Sequence, residues 1–380
     1  MYTELKQTIE TLFPAYLEFW KTICTMETPS AAREALNLQA DVIEKFSKER
    51  GFSVKRQNHP KAGDTMTITL PGHNDQAPVA LLAHMDTVHA PGAFGSPTVR
   101  EENGILYGPG VFDCKGGIVA CLMAMEALSK TGIGHRTVKL ILNSDEENGS
   151  FVGAAGVDYI HNEAAGAVAA FNAEAGRTDS LTVGRKGIMA AEIEIQGIAS
   201  HAGNAYYQGA SAIREAAYKI IALEGKSDDN ITFNCGLIQG GTVRNIVPES
   251  CKISVDVRFQ NADQQKQAAG IMEEITNQIH VEGCSASWKI IKIRPAMECT
   301  EGNMKLFNMV AETARELGLP ELQPMKRGGG SDSCYTVEIG IPTVCSMGPS
   351  GLYEHTVKEQ ADIDSLPQRA NLLAECILRV

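Results

Sequence analysis

No two of the ten cysteines stand in a C-x-x-C pair, which argues against a zinc ribbon or a thioredoxin-type redox motif. They lie scattered in apolar settings such as Val344-Cys345-Ser346, so the expectation is mostly reduced, buried thiols in a cytoplasmic protein. Positive charge is also short. The 34 Lys and Arg against 46 Asp and Glu leave a formal net charge of −12. That balance argues against nucleic acid as a partner, while a buried arginine can still serve an anionic substrate locally. Neither G-x-G-x-x-G nor a P-loop occurs, which removes the commonest reading of a Gly-rich turn before a helix. No window reaches the apolar length of a membrane span. The start, Met1-Tyr-Thr-Glu-Leu-Lys-Gln, has neither the basic nor the apolar region of a signal peptide. No internal repeat or low-complexity stretch is visible.

What remains is a chain of 380 residues, 43% hydrophobic and 21% charged, which is ordinary for a soluble globular protein. At roughly 100–200 residues per domain, two or three domains are expected. The stretch Val79-Ala-Leu-Leu-Ala-His84-Met85-Asp86 organises the reading. An apolar run of strand type ends in His-x-Asp, and side-chain alternation puts His84 and Asp86 on one face. Imidazole suits a metal, and a neighbouring carboxylate can fix its tautomer. Two more apolar strands, Val138–Asn143 and Ala167–Phe171, end the same way. The first runs into Asp145-Glu146-Glu147 and the second into Asn172-Ala-Glu174. A third acidic group, Asp113, sits among Gly108, Gly110, Gly116 and Gly117 before a helix predicted over 118–130. In open α/β sheets, sites form beyond the carboxyl ends of strands.

Two helices are predicted first, over 3–26 and 31–50, with Pro14 as a kink and Ser30 as the second helix's N-cap. After Gly184 the pattern changes to strands and helices in the order β-α-β-β-α-β, over 188–196, 210–223, 231–238, 251–259, 264–280 and 286–293. That order reads as a ferredoxin-like insert. A helix over 303–317, a strand at 342–346 and a last helix from about 362 resume the first domain. The expected fold is therefore α/β: a mixed, mostly parallel sheet covered by helices in a discontinuous domain, 1–183 and 295–380. It is joined to an inserted α+β domain, 184–294.

Six motifs together carry a resemblance. They are His84-x-Asp86, Gly108-Pro-Gly-x-x-Asp113-x-Lys-Gly-Gly117, Asp145-Glu-Glu-x-Gly-Ser150, Ser200-His-Ala-Gly203, Gly328-Gly-Gly-Ser-Asp332 and His355. With them the chain resembles the M20 family of dinuclear zinc peptidases and amidohydrolases, most of all its glutamate carboxypeptidase (carboxypeptidase G) type. The resemblance runs from about residue 80 to 365.

It implies that Asp113 bridges two zinc ions, with cobalt or manganese as alternatives. His84 and Glu174 complete one ion, Glu147 and His355 the other. Asp86 orients His84, and Glu146 is the general base. His201 reaches a partner subunit's site and stabilises the oxyanion. Asn245 and Gly329 contact substrate, and Arg258 and Arg294 pair with its carboxylates. A homodimer follows, with the insert as dimerisation and lid domain and hinges near Gly184 and Arg294. The implied substrate is a small peptide or N-acyl amino acid, cleaved beside a free carboxylate.

Relatives of this type place a lysine shortly after the metal-binding glutamate. Here Ser180 lies there, with Arg177 and Arg185-Lys186 offset. The context Asn172-Ala-Glu-Ala-Gly176 is also similar to tripeptide aminopeptidases. Three alternatives therefore stay open: an aminopeptidase, an N-acyl amino acid deacylase, and a catalytically dead binding protein on the same fold.

Overall fold

Runs of Val, Leu, Ile and Ala with no polar alternation can be buried on both faces, and here they form the middle of a sheet. Val79–His84 lies parallel between Val138–Asn143 and Ala169–Asn172, and the latter continues parallel to Thr343–Cys345. The full order is 53–57, 65–70, 138–143, 79–84, 169–172, 343–345, 180–185, 323–327, with antiparallel pairs toward both flanks. The computed structural model describes residues 2–73, 76–150 and 155–380.

Helix Lys115–Thr131 is apolar nearly all round, and every residue from Ile118 to Leu128 is buried. Such a helix needs cover on all sides. It packs against Tyr2–Thr25 and Ser365–Arg379. Tyr2–Thr25 runs unbroken through Pro14. A helix over Ala155–Ala164 follows strand Val138–Asn143, and residues 151–154 lie outside the described part. Strands 180–185 and 323–327, and a small sheet of 100–102, 105–107, 351–352 and 360–362, have no counterpart in the sequence reading.

The chain divides into two compact units, one of residues 1–183, 299–326 and 331–380, the other of 184–298 and 327–330. The second has the βαββαβ order, and its sheet runs 232–240, 250–259, 187–196, 285–294, all antiparallel. Strict alternation along Gly187–Gln196 and Ser250–Phe259 buries Met189, Ile193, Ile253 and Phe259 beneath helices Ala212–Glu224 and Ala262–Asn277. Both helices start at side-chain caps, Ser211 accepting from Arg214 N–H and Asn261 from Gln264 N–H. Among the described residues, no helix is long and apolar enough to cross a membrane.

Candidate metal centre

His84 ends the central strand in register with Asn143 of its neighbour, so the loops that follow leave from the same edge. Asp86 is fully buried. Its Oδ1 accepts the Glu146 N–H at 3.1 Å, and its Oδ2 accepts the Glu147 N–H at 3.0 Å and the Ser30 hydroxyl at 2.6 Å. Ser30 is thus no helix cap. The second helix starts at Arg33, after an Ala32 cap with no side-chain bond, and the Ser30 hydroxyl goes to Asp86 instead. His84 Nδ1 meets the main-chain oxygen of Asp86 at 3.0 Å and its carboxylate only at 3.4 Å. One short residue therefore holds both the imidazole and the acidic turn.

Asp113 lies between two histidines. Its Oδ1 is 3.2 Å from His84 Nε2 and its Oδ2 is 3.2 Å from His355 Nε2. Glu174 Oε1 is 3.8 Å from His84 Nε2, and Glu147 Oε2 is 3.2 Å from His355 Nε2. Residues 29 to 242 positions from Asp113 in the sequence thus gather around its carboxylate, and Glu146, also buried, adjoins Glu147. His355 adopts φ +62°, a conformation a non-glycine residue rarely takes and one that clusters at functional sites.

The electrostatics ask for positive charge. Burial, and then the charge of Asp113, push the Glu147 carboxyl up to about 8. Hydrogen bonds donated to the carboxylates of Asp113 and Glu147 raise His355 to about 11. Carboxylates crowded this closely and shielded from water fit divalent cations, and nitrogen and oxygen donors of this kind suit zinc, cobalt or manganese.

Glu359 was not among the residues the sequence singled out. Its Oε1 accepts the N–H groups of Phe112 and Asp113, both at 2.9 Å. Its Oε2 accepts Gly110 N–H at 3.2 Å and pairs with His89 Nε2 at 2.8 Å. It is 1% exposed, so this carboxylate is committed to shaping the Asp113 loop. Gly110 takes φ +74°, and a Cβ there would meet Lys115 Cδ at 2.9 Å, so the turn requires glycine.

The other predicted residues lie in the second unit, in two groups. His201 and Asn245 meet on a short ribbon, where Ser200 pairs with Val247 and His201 with Ile246. Ala202 N–H donates to Asn245 O at 3.0 Å. His201 Nδ1 accepts the N–H groups of Gly203 and Asn204, both at 3.1 Å. The neutral ring therefore carries its proton on Nε2, as a donor on an exposed side chain.

Arg258, Arg294 and Gly329 form the second group. Arg258 makes a two-pronged pair with Asp256, at 2.6 and 3.1 Å, and donates to Gly328 O at 3.4 Å. Arg294 is 4% exposed, and a Cβ on Gly330 would lie 3.0 Å from its Cδ. Arg185 donates to Gly329 O at 3.3 Å and Gly330 O at 3.1 Å. The triple-glycine loop is thus cradled by arginines.

A model of peptidase family M20/M25/M40 matches residues 80–379. The chain is 30% identical to carboxypeptidase G2 of Pseudomonas sp. (strain RS-16), over 96% of this chain and 89% of that protein. It is 26% identical to succinyl-diaminopimelate desuccinylase of Coxiella burnetii, over 77% of this chain and 83% of that one. Its structure resembles that of aminopeptidase PepT from Bacillus cereus ATCC 10987, with a TM-score of 0.80, 22% identity and coverage of 96% and 97%.

Proposed function

We infer this chain's reaction from one premise: it belongs to peptidase family M20/M25/M40 and is a hydrolase. The finer reading is a dinuclear metallopeptidase that cleaves an amide beside a free carboxylate, at a C-terminal Glu or Asp or in an N-acyl acidic amino acid. The observation that carries it is Asp113, with one carboxylate oxygen toward His84 and the other toward His355. In this reading His84, Asp113 and Glu174 hold one zinc ion, and Asp113, Glu147 and His355 the other. When bound, the pair supplies the positive charge that polarises a carbonyl and acidifies a water.

The rest is work for the chain's own groups. Asp86 fixes the turn that presents Glu146 and Glu147. Glu146 takes a proton at its carboxylate and returns it to the leaving nitrogen. In the homodimer of this reading, His201 Nε2–H donates to the oxyanion that develops in the partner subunit's site, with Asn245 beside it. Arg258 and Arg294 recognise carboxylate, and a substrate anion would replace or share the Asp256 contact of Arg258.

The names of the relatives, a carboxypeptidase and a desuccinylase, support an acyl group or peptide attached to an acidic or amino-acid unit. Assays of a C-terminal-glutamate dipeptide, an N-acyl-glutamate and a tripeptide, side by side, test this. The expected result is at least ~10²-fold higher kcat/KM on one of the first two, since a site built to pair with a substrate carboxylate disfavours substrates that lack it. Chelator treatment should abolish all turnover and added zinc restore it. A tripeptide turned over best would overturn the carboxylate reading.

A homodimer is supported by an exposed apolar edge of the second unit. Strand Thr232–Gly240 is a sheet edge with Leu237 64% and Ile238 50% exposed, and Ile221 on the adjoining helix is 73% exposed. Long exposed apolar edges invite pairing with a second copy, and a two-fold interface uses the same patch twice. Leu237→Glu with Ile221→Glu should sediment as a monomer where the parent sediments as a dimer. An unchanged sedimentation coefficient would place the interface elsewhere.

Glu359 gives a third test. Glu359→Gln keeps the shape but turns one acceptor oxygen into a donor facing Gly110 N–H. Zinc affinity, measured by competition with a chelator, should fall about 10–100-fold, as for groups that orient ligands. Unchanged affinity would show that the Asp113 loop holds its shape alone.

A further inference from the structure

Cys114 stands beside the centre. One donor atom from each of His84, Cys114 and Glu174 lies within 4.8 Å of the others, and all three side chains are buried. Donors around one tetrahedral zinc, bound at about 2.0–2.3 Å, sit about 3–4 Å apart, so small side-chain rotations close this triad on one ion. The backbone holds the three together. Cys114 Sγ is 3.4 Å from Ala173 O, next to Glu174. A Cβ on Gly117 would lie 1.9 Å from that same oxygen, so the helix start and the strand end are in direct contact. Met85 N–H, immediately after His84, is tied to Asn143 O at 2.8 Å.

We propose that Cys114 is an additional, sulfur donor to the metal held by His84 and Glu174, making that position selective for thiophilic divalent cations. The inference rests on the dinuclear reading above. The dipeptide Asp113-Cys114 then offers one hard and one soft donor to the same centre. Coordination replaces the S–H bond by a metal–sulfur bond, and the thiol proton passes to solvent. Thiolate favours zinc, cadmium and cobalt over manganese and magnesium, which prefer oxygen. The competing account is a small buried thiol whose only role is its contact with Ala173 O.

Cobalt(II) separates these accounts. The full-length chain, stripped of metal by chelator, is titrated with cobalt while its absorption is recorded. Weak visible ligand-field bands report cobalt held by nitrogen and oxygen donors. An intense near-ultraviolet sulfur-to-cobalt band reports the thiolate. The wild-type chain should show both. C114S should keep the visible bands and lose the near-ultraviolet one, and its cadmium affinity should fall about 10–100-fold while manganese affinity stays. C114A serves the same assignment if the serine variant does not fold. Visible bands without the charge-transfer band in the wild type overturn the proposal, and so does a charge-transfer band that survives in either variant. A wild-type chain that takes up no cobalt overturns the dinuclear reading itself, a distinguishable outcome.

Discussion

Glu146→Gln is expected to keep its full metal content and lose about 10²–10⁴-fold in kcat, the range for removing a general acid–base group. Glutamine has the same shape and can still accept hydrogen bonds, but it cannot take and return a proton. The side chain is buried at the turn whose two amides both donate to the Asp86 carboxylate. The substitution therefore leaves the backbone that positions Glu147 in place. KM should change little, because the group acts on the water and not on the resting substrate. Metal analysis and steady-state kinetics on the same preparation check this. A variant with full turnover would remove Glu146 from the mechanism. One with low turnover and low metal content would make it a ligand.

The central strands were legible because burial on both faces leaves a clear mark. Val79–His84 and Ala169–Asn172 are buried at every position and read as apolar runs without alternation. The second unit was legible for the opposite reason, since a sheet covered on one face alternates strictly. What the sequence hid was marginal in these terms. Gln323–Arg327 contains proline and two basic residues and lies at the edge of its sheet, where ladder and burial demand little of the residues. Strands of two or three residues, such as Gly351–Leu352 and Gln360–Asp362, are too short to show any period.

At the site, histidines and acids at strand ends were visible as residue types. Their supports were not. Glu359 looks like one more charged loop residue, because three of its partners are backbone amides about 250 positions earlier that carry no side-chain signature, and the other, His89, is 270 positions away. Arg258 shows the converse. Its partner Asp256 lies two residues back on the same strand face, a spacing the alternation rule already offers.

Gly117→Ala is expected to destabilise the chain by ~3 kcal/mol and to weaken zinc binding at least ~10-fold. Two effects oppose each other here. In a helix, alanine is intrinsically better than glycine by about 1 kcal/mol, so propensity alone predicts a more stable protein. The structure predicts the reverse, because the new Cβ would lie 1.9 Å from the main-chain oxygen of Ala173. That oxygen belongs to backbone and cannot rotate away. Ala173 is held by its own N–H to Leu82 O at 2.8 Å, and Glu174 O accepts Gly348 N–H at 3.0 Å. The helix start or the strand end must then move by more than an ordinary side-chain adjustment. The first carries Asp113 four residues earlier, and the second carries Glu174 one residue later. Either displacement separates donors that must converge, so stability and metal affinity should fall together. Gly134→Ala is the control: nothing lies within 4 Å of its added Cβ, and its effect should stay within ~0.5 kcal/mol. Thermal unfolding with and without zinc measures both quantities. If Gly117→Ala instead raises the unfolding temperature, propensity has won, and the close contact between helix and strand does not fix the spacing of Asp113 and Glu174.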